Sequence, residues 1–174
     1  MAEDMNADRM NAELDPVAFR RALGEYVTGV TVITAEGGNG ERIGMTMNSF
    51  NSVSLDPPLV LFSVARQALS LPALESAKGF CVNVLSRNQQ DISGRFAKAQ
   101  TDKWADTAWT PGYMNAPLLA GAQAHFECAP YATYDGGDHV IFVVRVVRFA
   151  TQPQNEPLVY FRGRYSVIDA ERVT

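Results

Sequence analysis

The sequence contains few of the residues that build metal, disulfide or nucleic-acid sites. It has two cysteines and two histidines in 174 residues, and neither pair stands at a spacing typical of metal ligands. Asp and Glu number 19 against 15 Lys and Arg, so the net charge of -4 does not attract a polyanion. We therefore expect no metal and no nucleic-acid partner. Cys81 and Cys128 lie in apolar runs and are predicted to be buried thiols.

Long apolar runs are missing as well. No stretch approaches the roughly 18 apolar residues that a membrane helix needs. The first residues mix Asp, Glu, Asn and Met without the apolar segment of a signal peptide. We therefore expect no membrane association and a cytoplasmic location. Residues 1–14 are predicted to form a disordered N-terminal tail. Residues 15–174 are predicted to form a single domain, because this length suits one compact domain.

The pattern of apolar residues predicts a mainly β, antiparallel protein with a few short helices. Asp15 and Pro16 begin an amphipathic helix that extends to Val27, and Ser70 begins a second, short one. Further on, the polar segment 89–99 is typical of a surface helix. Strands are predicted at 30–34, 42–55, 59–64, 80–85, 122–128, 140–149 and 158–161. The last two are apolar at nearly every position, which indicates burial on both faces and a homodimer partner that supplies the second layer.

Several common sites are absent from the sequence. The Gly-rich segment 37–40 precedes a strand instead of a helix, and the third glycine of the Gly-x-Gly-x-x-Gly pattern is missing, which argues against the Rossmann fingerprint. There is no Gly-x-Ser-x-Gly elbow of the hydrolases. The carboxylates are scattered, so no pair stands out for acid–base chemistry.

The segment 45–55 is the most informative part of the chain. Apolar residues alternate with Thr46, Asn48, Ser52 and Ser54, and the alternation breaks at 49–51, which predicts a bulge or bend with free backbone N–H groups.

A second polar group lies a few residues further on. Ser63 and Arg66 leave the next strand, and Ser70 stands at a helix start. Together the two groups suit a conjugated ring and its phosphate, as in a flavin. The alternative is a solvated strand followed by an ordinary capped helix.

Three motifs resemble those of the short-chain flavin reductases, the reductase components of two-component flavin-dependent monooxygenases. They are residues 44–58 (GMTMNSFNSVSLDPP), 137–142 (GDHVIF) and 158–165 (LVYFRGRY). The resemblance covers about Phe19 to Ile168 and implies an FMN-binding split β-barrel of Greek-key topology. It also implies an NAD(P)H-dependent flavin reductase that transfers hydride from NADH or NADPH to FMN or FAD for a partner monooxygenase.

The resemblance further implies roles for individual residues. His139 would lie where the nicotinamide stacks on the flavin and act as the catalytic residue, with Tyr165 at the same opening. The other implied flavin contacts are Thr46, Met47, Asn48 and Ser49 at the ring, Ser63, Val64, Ala65 and Ser70 along the ribityl chain and phosphate, and Lys98 and Lys103 at the phosphate. Met47 and Phe50 stand where small residues are commoner, so the choice between FAD and FMN stays open.

Each of these residues also has an ordinary structural interpretation. His139 suits a solvent-exposed turn, Tyr165 suits core packing, and Arg66 suits a surface charge. Two other functions remain as alternatives to the reductase. One is a flavin-carrying redox module without turnover, and the other is a dedicated reductase of a corrinoid or ferric complex through bound flavin.

Overall fold

The computed structural model describes residues 14–99 and 102–168, and the predicted tail lies almost wholly outside them. The helices are α1 (Pro16–Leu23), α2 (Leu71–Ser76) and α3 (Gln90–Ala97), with a 3₁₀ turn at Tyr113–Asn115. The strands are β1 (Thr28–Gly29), β2 (Thr31–Glu36), β3 (Arg42–Met47), β4 (Asn51–Leu55), β5 (Pro58–Ala65), β6 (Phe80–Val84), β7 (Trp109–Pro111), β8 (Pro117–Leu119), β9 (Ala124–Gly136), β10 (His139–Thr151), β11 (Val159–Phe161) and β12 (Arg164–Ser166). The mainly β prediction is confirmed.

Seven strands form one antiparallel sheet in the order β3-β2-β6-β9-β10-β5-β4. In a flat sheet the two edge strands would lie about 29 Å apart, since neighbouring strands are about 4.8 Å apart. Yet β3 and β4 are joined by residues 48–50 alone, which span at most about 14 Å. The sheet therefore curls into a barrel, and the non-sequential strand order fits a Greek-key barrel better than an up-and-down one.

The barrel interior is filled by aliphatic and aromatic side chains. Phe62 and Phe142 stack at a centroid distance of 5.2 Å, and Phe80 packs edge-on against both rings. Met45 and Met47 pack against this core from β3. The alternation of β3 therefore points its apolar side chains into the barrel and Thr46 away from it, as the sequence predicted.

A second apolar layer covers the outer face of β2. Phe96 of α3, Leu119 of β8 and Leu158 pack there on Val32. Asn83 is completely buried beneath this layer and anchors it, since its Oδ1 accepts from the Leu119 N–H at 2.8 Å. Asn83 thereby holds the long segment between α3 and β9 against the barrel. This segment carries Lys103.

The segment 45–55 differs from the single strand that was predicted. The bend at Asn48 is real, but it separates β3 from β4, which lie at opposite edges of the sheet order. Apolar residues stand at odd positions both before and after the break at 49–51, so the sequence pattern alone does not show that the hydrogen-bonding partner changes from β2 to β5.

Two further predictions hold only in part. Helix α1 is capped by Asp15, whose carboxylate accepts from the backbone N–H groups of Val17 and Ala18, but it ends at Leu23 and not at Val27. Strand β10 is largely buried up to Val144, whereas Phe149 near its end is 71% exposed in the protomer. None of the helices in residues 14–99 and 102–168 is long and apolar enough to cross a membrane.

Candidate active site

The barrel has a gap between the free edge of β3 and the end of β5. Strand β4 covers β5 only up to Leu61, so the edge of β5 beyond it, from Ser63 to Ala65, faces the gap. The gap is bridged by Ser49, whose hydroxyl accepts from Ser63 N–H at 2.9 Å and donates to Ser63 O at 3.2 Å. Ser49 and Ser63, both predicted site residues, are thus in direct contact.

Backbone donors line this gap. Within the described residues, no hydrogen bond is donated by the backbone N–H groups of Asn48, Ser49 or Phe50. Because N–H groups alternate in direction along a strand, the Ala65 N–H lies on the same edge as that of Ser63. Four backbone donors therefore border one crevice, which supports the prediction of free N–H groups at the bend.

Ser70 and Lys103 meet at one end of the gap. Both line a cavity of about 290 Å³ that also contacts Gly44 and Trp104. The Ser70 hydroxyl makes no capping bond to α2, although the residue occupies the predicted N-cap position. The Lys103 ammonium donates to Gly44 O at 3.1 Å and Phe96 O at 3.3 Å, which leaves one of its three N–H donors for a ligand.

The environment of Lys103 also affects its charge. Partial burial lowers the pKa of the Lys103 ammonium below its ordinary value. Its two bonds are to neutral carbonyls, so an anion in the cavity would offset this desolvation. A phosphate group is one such anion.

Helix α2 itself contributes little to such a site. It has six residues, Pro72 has no N–H, and the Leu71 N–H already donates to Ala68 O at 3.0 Å. Side chains, and not the helix N-terminus, therefore provide the donors for an anion here.

His139 lies at the other end of the gap. It pairs with Ala65 in the β5–β10 ladder, and its side chain is 43% exposed. Its Nδ1 lies 2.6 Å from Asp138 Oδ1, and the hydrogen bond and charge of His139 lower the pKa of the Asp138 carboxyl. Since an ionised carboxylate only accepts, Nδ1 carries a proton. The Nε2 atom then accepts in the neutral ring and donates in the protonated one.

Thr46 and Tyr165 converge on α3 instead of on the gap. Ser93 is fully buried, its carbonyl oxygen accepts from the Thr46 hydroxyl at 2.7 Å, and its hydroxyl accepts from the Tyr165 hydroxyl at 2.8 Å. The side chains of these two predicted contacts are therefore engaged within the protein. The carbonyl oxygens of Arg42 and Gly44 point out from the free edge of β3, where they accept bonds. Because backbone groups alternate in direction along a strand, those of Thr46 point out from the same edge and face the gap.

Five other residues are placed differently from what the sequence indicated. Val64 points into the core and Met47 packs against it, and by the same alternation their backbone polar groups turn to the neighbouring strands β10 and β2 and not to the gap. Lys98 is exposed after α3 and has no described contact with the cavity. Arg66, suggested above as part of a phosphate cradle, binds the β9–β10 turn through Gly137 O. Asn48 donates from its side chain to the Thr28 hydroxyl at 3.3 Å.

Some residues of the site were missed by sequence reasoning. Arg42 lies over the rings of Trp104 and Trp109, 5.5 and 5.0 Å from their centroids, and so fixes the wall of the cavity. At Gly44 a Cβ atom would lie 2.3 Å from Phe96 Cε1. A glycine inside a strand is the one signal of such a close approach that the sequence offered.

These features fit a flavin. The ring needs donors for its oxygens and N5, which the bend and β5 can supply, and the phosphate needs a cation and a hydroxyl, which Lys103 and Ser70 supply. Fold and site together define a flavin-binding barrel.

The comparisons with known proteins agree with this class. A family model described as a flavin reductase-like domain matches residues 23–169. The chain belongs to this family, which confirms the resemblance seen in the sequence.

Three relatives illustrate the similarity. The reductase subunit HsaB of a flavin-dependent monooxygenase from Mycobacterium tuberculosis is 38% identical over 167 residues, 95% of this chain and 89% of that protein. An NADH-dependent FAD reductase from Streptomyces globisporus is 41% identical over 156 residues, covering 87% of this chain and 85% of the relative. The solved structure of the S. globisporus NADH:FAD oxidoreductase SgcE6 with NAD and FAD fragments superposes with a TM-score of 0.86 at 41% identity, covering 92% of this chain and 99% of the other.

Proposed function

We propose that this protein is an NAD(P)H:flavin oxidoreductase that transfers hydride from NADH to FAD or FMN and supplies reduced flavin to a partner monooxygenase. One observation carries the proposal: unpaired backbone donors line a gap in the barrel that ends at Ser70 and Lys103 on one side and at His139 on the other. The similarity to a monooxygenase reductase subunit and to an NADH-dependent FAD reductase supports the donor, the acceptor and the partner.

The residues of this chain position the reactants. The flavin, when bound, would supply the hydride acceptor. Backbone N–H groups of 48–50 and Ala65 would donate to its ring and offset the negative charge of the reduced form. Lys103 and Ser70 would hold the phosphate. His139 Nε2 would orient the nicotinamide carboxamide, and hydride transfer requires no general base.

Steady-state kinetics test this proposal. Purified protein is mixed with NADH or NADPH and an excess of free FMN or FAD, and NADH absorbance is followed. Continued loss of NADH supports the reductase, and its absence identifies a flavin carrier without turnover. Gel filtration adds the second distinction, because flavin that stays bound through the column favours a dedicated reductase of another acceptor.

We further propose that the protein is a homodimer. We also propose that each protomer is a single domain over 15–174 and that the protein is cytoplasmic. Leu55 is 96% exposed and Phe149 71%, and both border an apolar cavity of about 500 Å³ together with Phe50, Leu59 and Phe126. Helix α1 has no buried residue, so its apolar side also lacks cover among residues 14–99 and 102–168. Exposed apolar surface of this extent is typical of an interface.

Light scattering tests the dimer. We expect twice the protomer mass of 19.0 kDa at micromolar concentration. Phe149→Asp should lower the mass toward that of the protomer because it places a charge in the apolar surface. Tyr134→Asp is the matched control, since Tyr134 is an exposed aromatic of the same β9–β10 pair outside the cavity. A protomer mass for the unaltered protein would contradict the dimer.

A further inference from the structure

Arg66 follows β5 directly and contacts both sides of the β9–β10 turn. Its Nε donates to Gly137 O at 2.8 Å, and its Nη2 donates to the Asp135 carboxylate. Its backbone N–H donates to Asp138 O at 2.9 Å. One residue thus ties the turn to the end of β5 through three hydrogen bonds.

The turn needs such support. Gly136 and Gly137 lie in it, and Gly137 has a φ of +75°, in the left-handed region. Glycine loses more backbone entropy on ordering than other residues, so a turn with two glycines is poorly fixed by its own sequence. The Asp135 and Asp138 side chains project into solvent and do not pack against the core.

The position of this turn determines the direction of the His139 ring. Asp138 accepts the His139 Nδ1–H with its carboxylate at 2.6 Å, and its carbonyl oxygen accepts from Arg66 N–H. The Arg66 backbone is thus linked to the imidazole through Asp138, and its guanidinium holds the same turn through Gly137 O and the Asp135 carboxylate. Arg66→Ala removes only the guanidinium bonds. Displacement of the turn would move both the carboxylate and the ring that it orients.

We propose that Arg66 is a positioning residue for the nicotinamide side of the site, acting on His139 through the turn. The inference rests on the proposed function of His139, and Arg66 itself touches no reacting atom. The phosphate role suggested by the sequence is replaced, because the guanidinium already uses Nε and Nη2 on the turn.

A simple surface ion pair is the competing interpretation, since the Arg66 side chain is 49% exposed. Exposed pairs contribute little to stability, so thermal unfolding alone does not separate the two. The chain offers a matched control in Arg87, which is 51% exposed, pairs with Glu156 Oε2 at 2.6 Å and donates its backbone N–H to Glu156 O at 2.7 Å.

The experiment compares Arg66→Ala, Arg66→Lys and Arg87→Ala in the full-length protein. Steady-state kinetics give KM for NADH and kcat, and fluorescence titration gives Kd for FMN. Nitrogen-15 NMR of the imidazoles reports the ring directly. The chain has two histidines, and His125, whose ring binds Leu119 O at 2.9 Å, serves as the internal reference.

For Arg66→Ala we expect KM for NADH to rise about 3- to 10-fold, the scale of one lost orienting contact. The Kd for FMN should stay within about twofold, because the phosphate contacts lie elsewhere. The His139 nitrogen signals should shift or broaden while those of His125 stay in place. Arg66→Lys should recover part of the NADH effect, since it keeps the charge but loses the planar fork.

The inference is overturned if Arg66→Ala leaves the His139 signals and KM for NADH unchanged, or if Arg87→Ala reproduces its effects. Equal weakening of FMN and NADH would also overturn it and would place Arg66 at the flavin. His139→Ala separates this from the proposed function. If that variant keeps wild-type NADH kinetics while Arg66→Ala still moves the ring, the role of His139 fails and Arg66 remains its positioning residue.

Discussion

Replacement of Lys103 by methionine tests whether the cavity beside Ser70 binds the flavin phosphate. Methionine keeps the length of the side chain and removes the ammonium. A charge-assisted hydrogen bond is worth about 1.5–3 kcal/mol, so we expect Lys103→Met to weaken FMN by about 10- to 100-fold. Riboflavin, which has no phosphate, should change by less than about twofold. Flavin fluorescence titration measures both Kd values.

A second test is the pH dependence of the ratio between the Kd for riboflavin and the Kd for FMN. Burial lowers the pKa of the Lys103 ammonium below its ordinary value, so its charge is lost at a lower pH than that of an exposed lysine. The preference for FMN over riboflavin should therefore fall in alkaline solution in the wild type and stay constant in Lys103→Met. Taking the ratio of the two Kd values cancels any titration of the flavin ring.

Lys98→Met is the matched control, because Lys98 is the other lysine implied by the resemblance and is exposed. It should bind FMN like the wild type. The reasoning is refuted if Lys103→Met weakens FMN and riboflavin equally. In that case Lys103 acts through its bonds to Gly44 O and Phe96 O, which hold the segment between α3 and β9 against β3. A lowered melting temperature of Lys103→Met should then accompany the weaker binding.

Three further predictions follow from neighbouring residues. Ser70→Ala should weaken FMN by about 1–2 kcal/mol and spare riboflavin, and equal losses would show that the hydroxyl does not reach the phosphate. Gly44→Ala should lower the free energy of unfolding by about 1–3 kcal/mol, measured by denaturant titration, because the new Cβ would lie 2.3 Å from Phe96 Cε1. Burial raises the pKa of the Cys128 thiol to about 12 and that of Cys81 well above its usual value. Iodoacetamide at pH 8 should therefore modify neither thiol until the protein is unfolded, and mass spectrometry that detects a modified native protein would contradict this.

The sequence predicted the local elements well because their signals are local. Asp15 and Pro16 define the start of α1 through hydrogen bonding and a fixed φ, and Gly137 with Asp138 defines the hairpin turn. The bend after Met47 was visible as a break in alternation. The change of partner strand was not, because pairing of β4 with β5 depends on how the whole sheet curls.

Side-chain roles were harder to predict because they depend on contacts distant in sequence. The hydroxyl of Thr46 is bound to Ser93 O, 47 residues away, and Arg66 reaches Asp135, 69 residues away. Nothing in the segments around Thr46 or Arg66 indicates these partners. The resemblance implied Ser49, Ser63, Ser70 and Lys103 together. The structure places Ser49 against Ser63 and brings Ser70 and Lys103 to one cavity.

The free edge of β3 explains why the site lies at an opening in the barrel. An unpaired edge strand normally invites pairing with another chain. Here the outward carbonyls of Arg42 and Gly44 accept bonds from Trp104 Nε1 at 3.2 Å and Lys103 Nζ at 3.1 Å, which blocks a further strand along that part of the edge. Beyond them the edge leads into the bend at 48–50, whose N–H groups have no acceptor within the described residues. A fully closed barrel would have used those donors in its ladder. The gap leaves them unpaired between the cavity of Ser70 and Lys103 and the end of β5 beside His139.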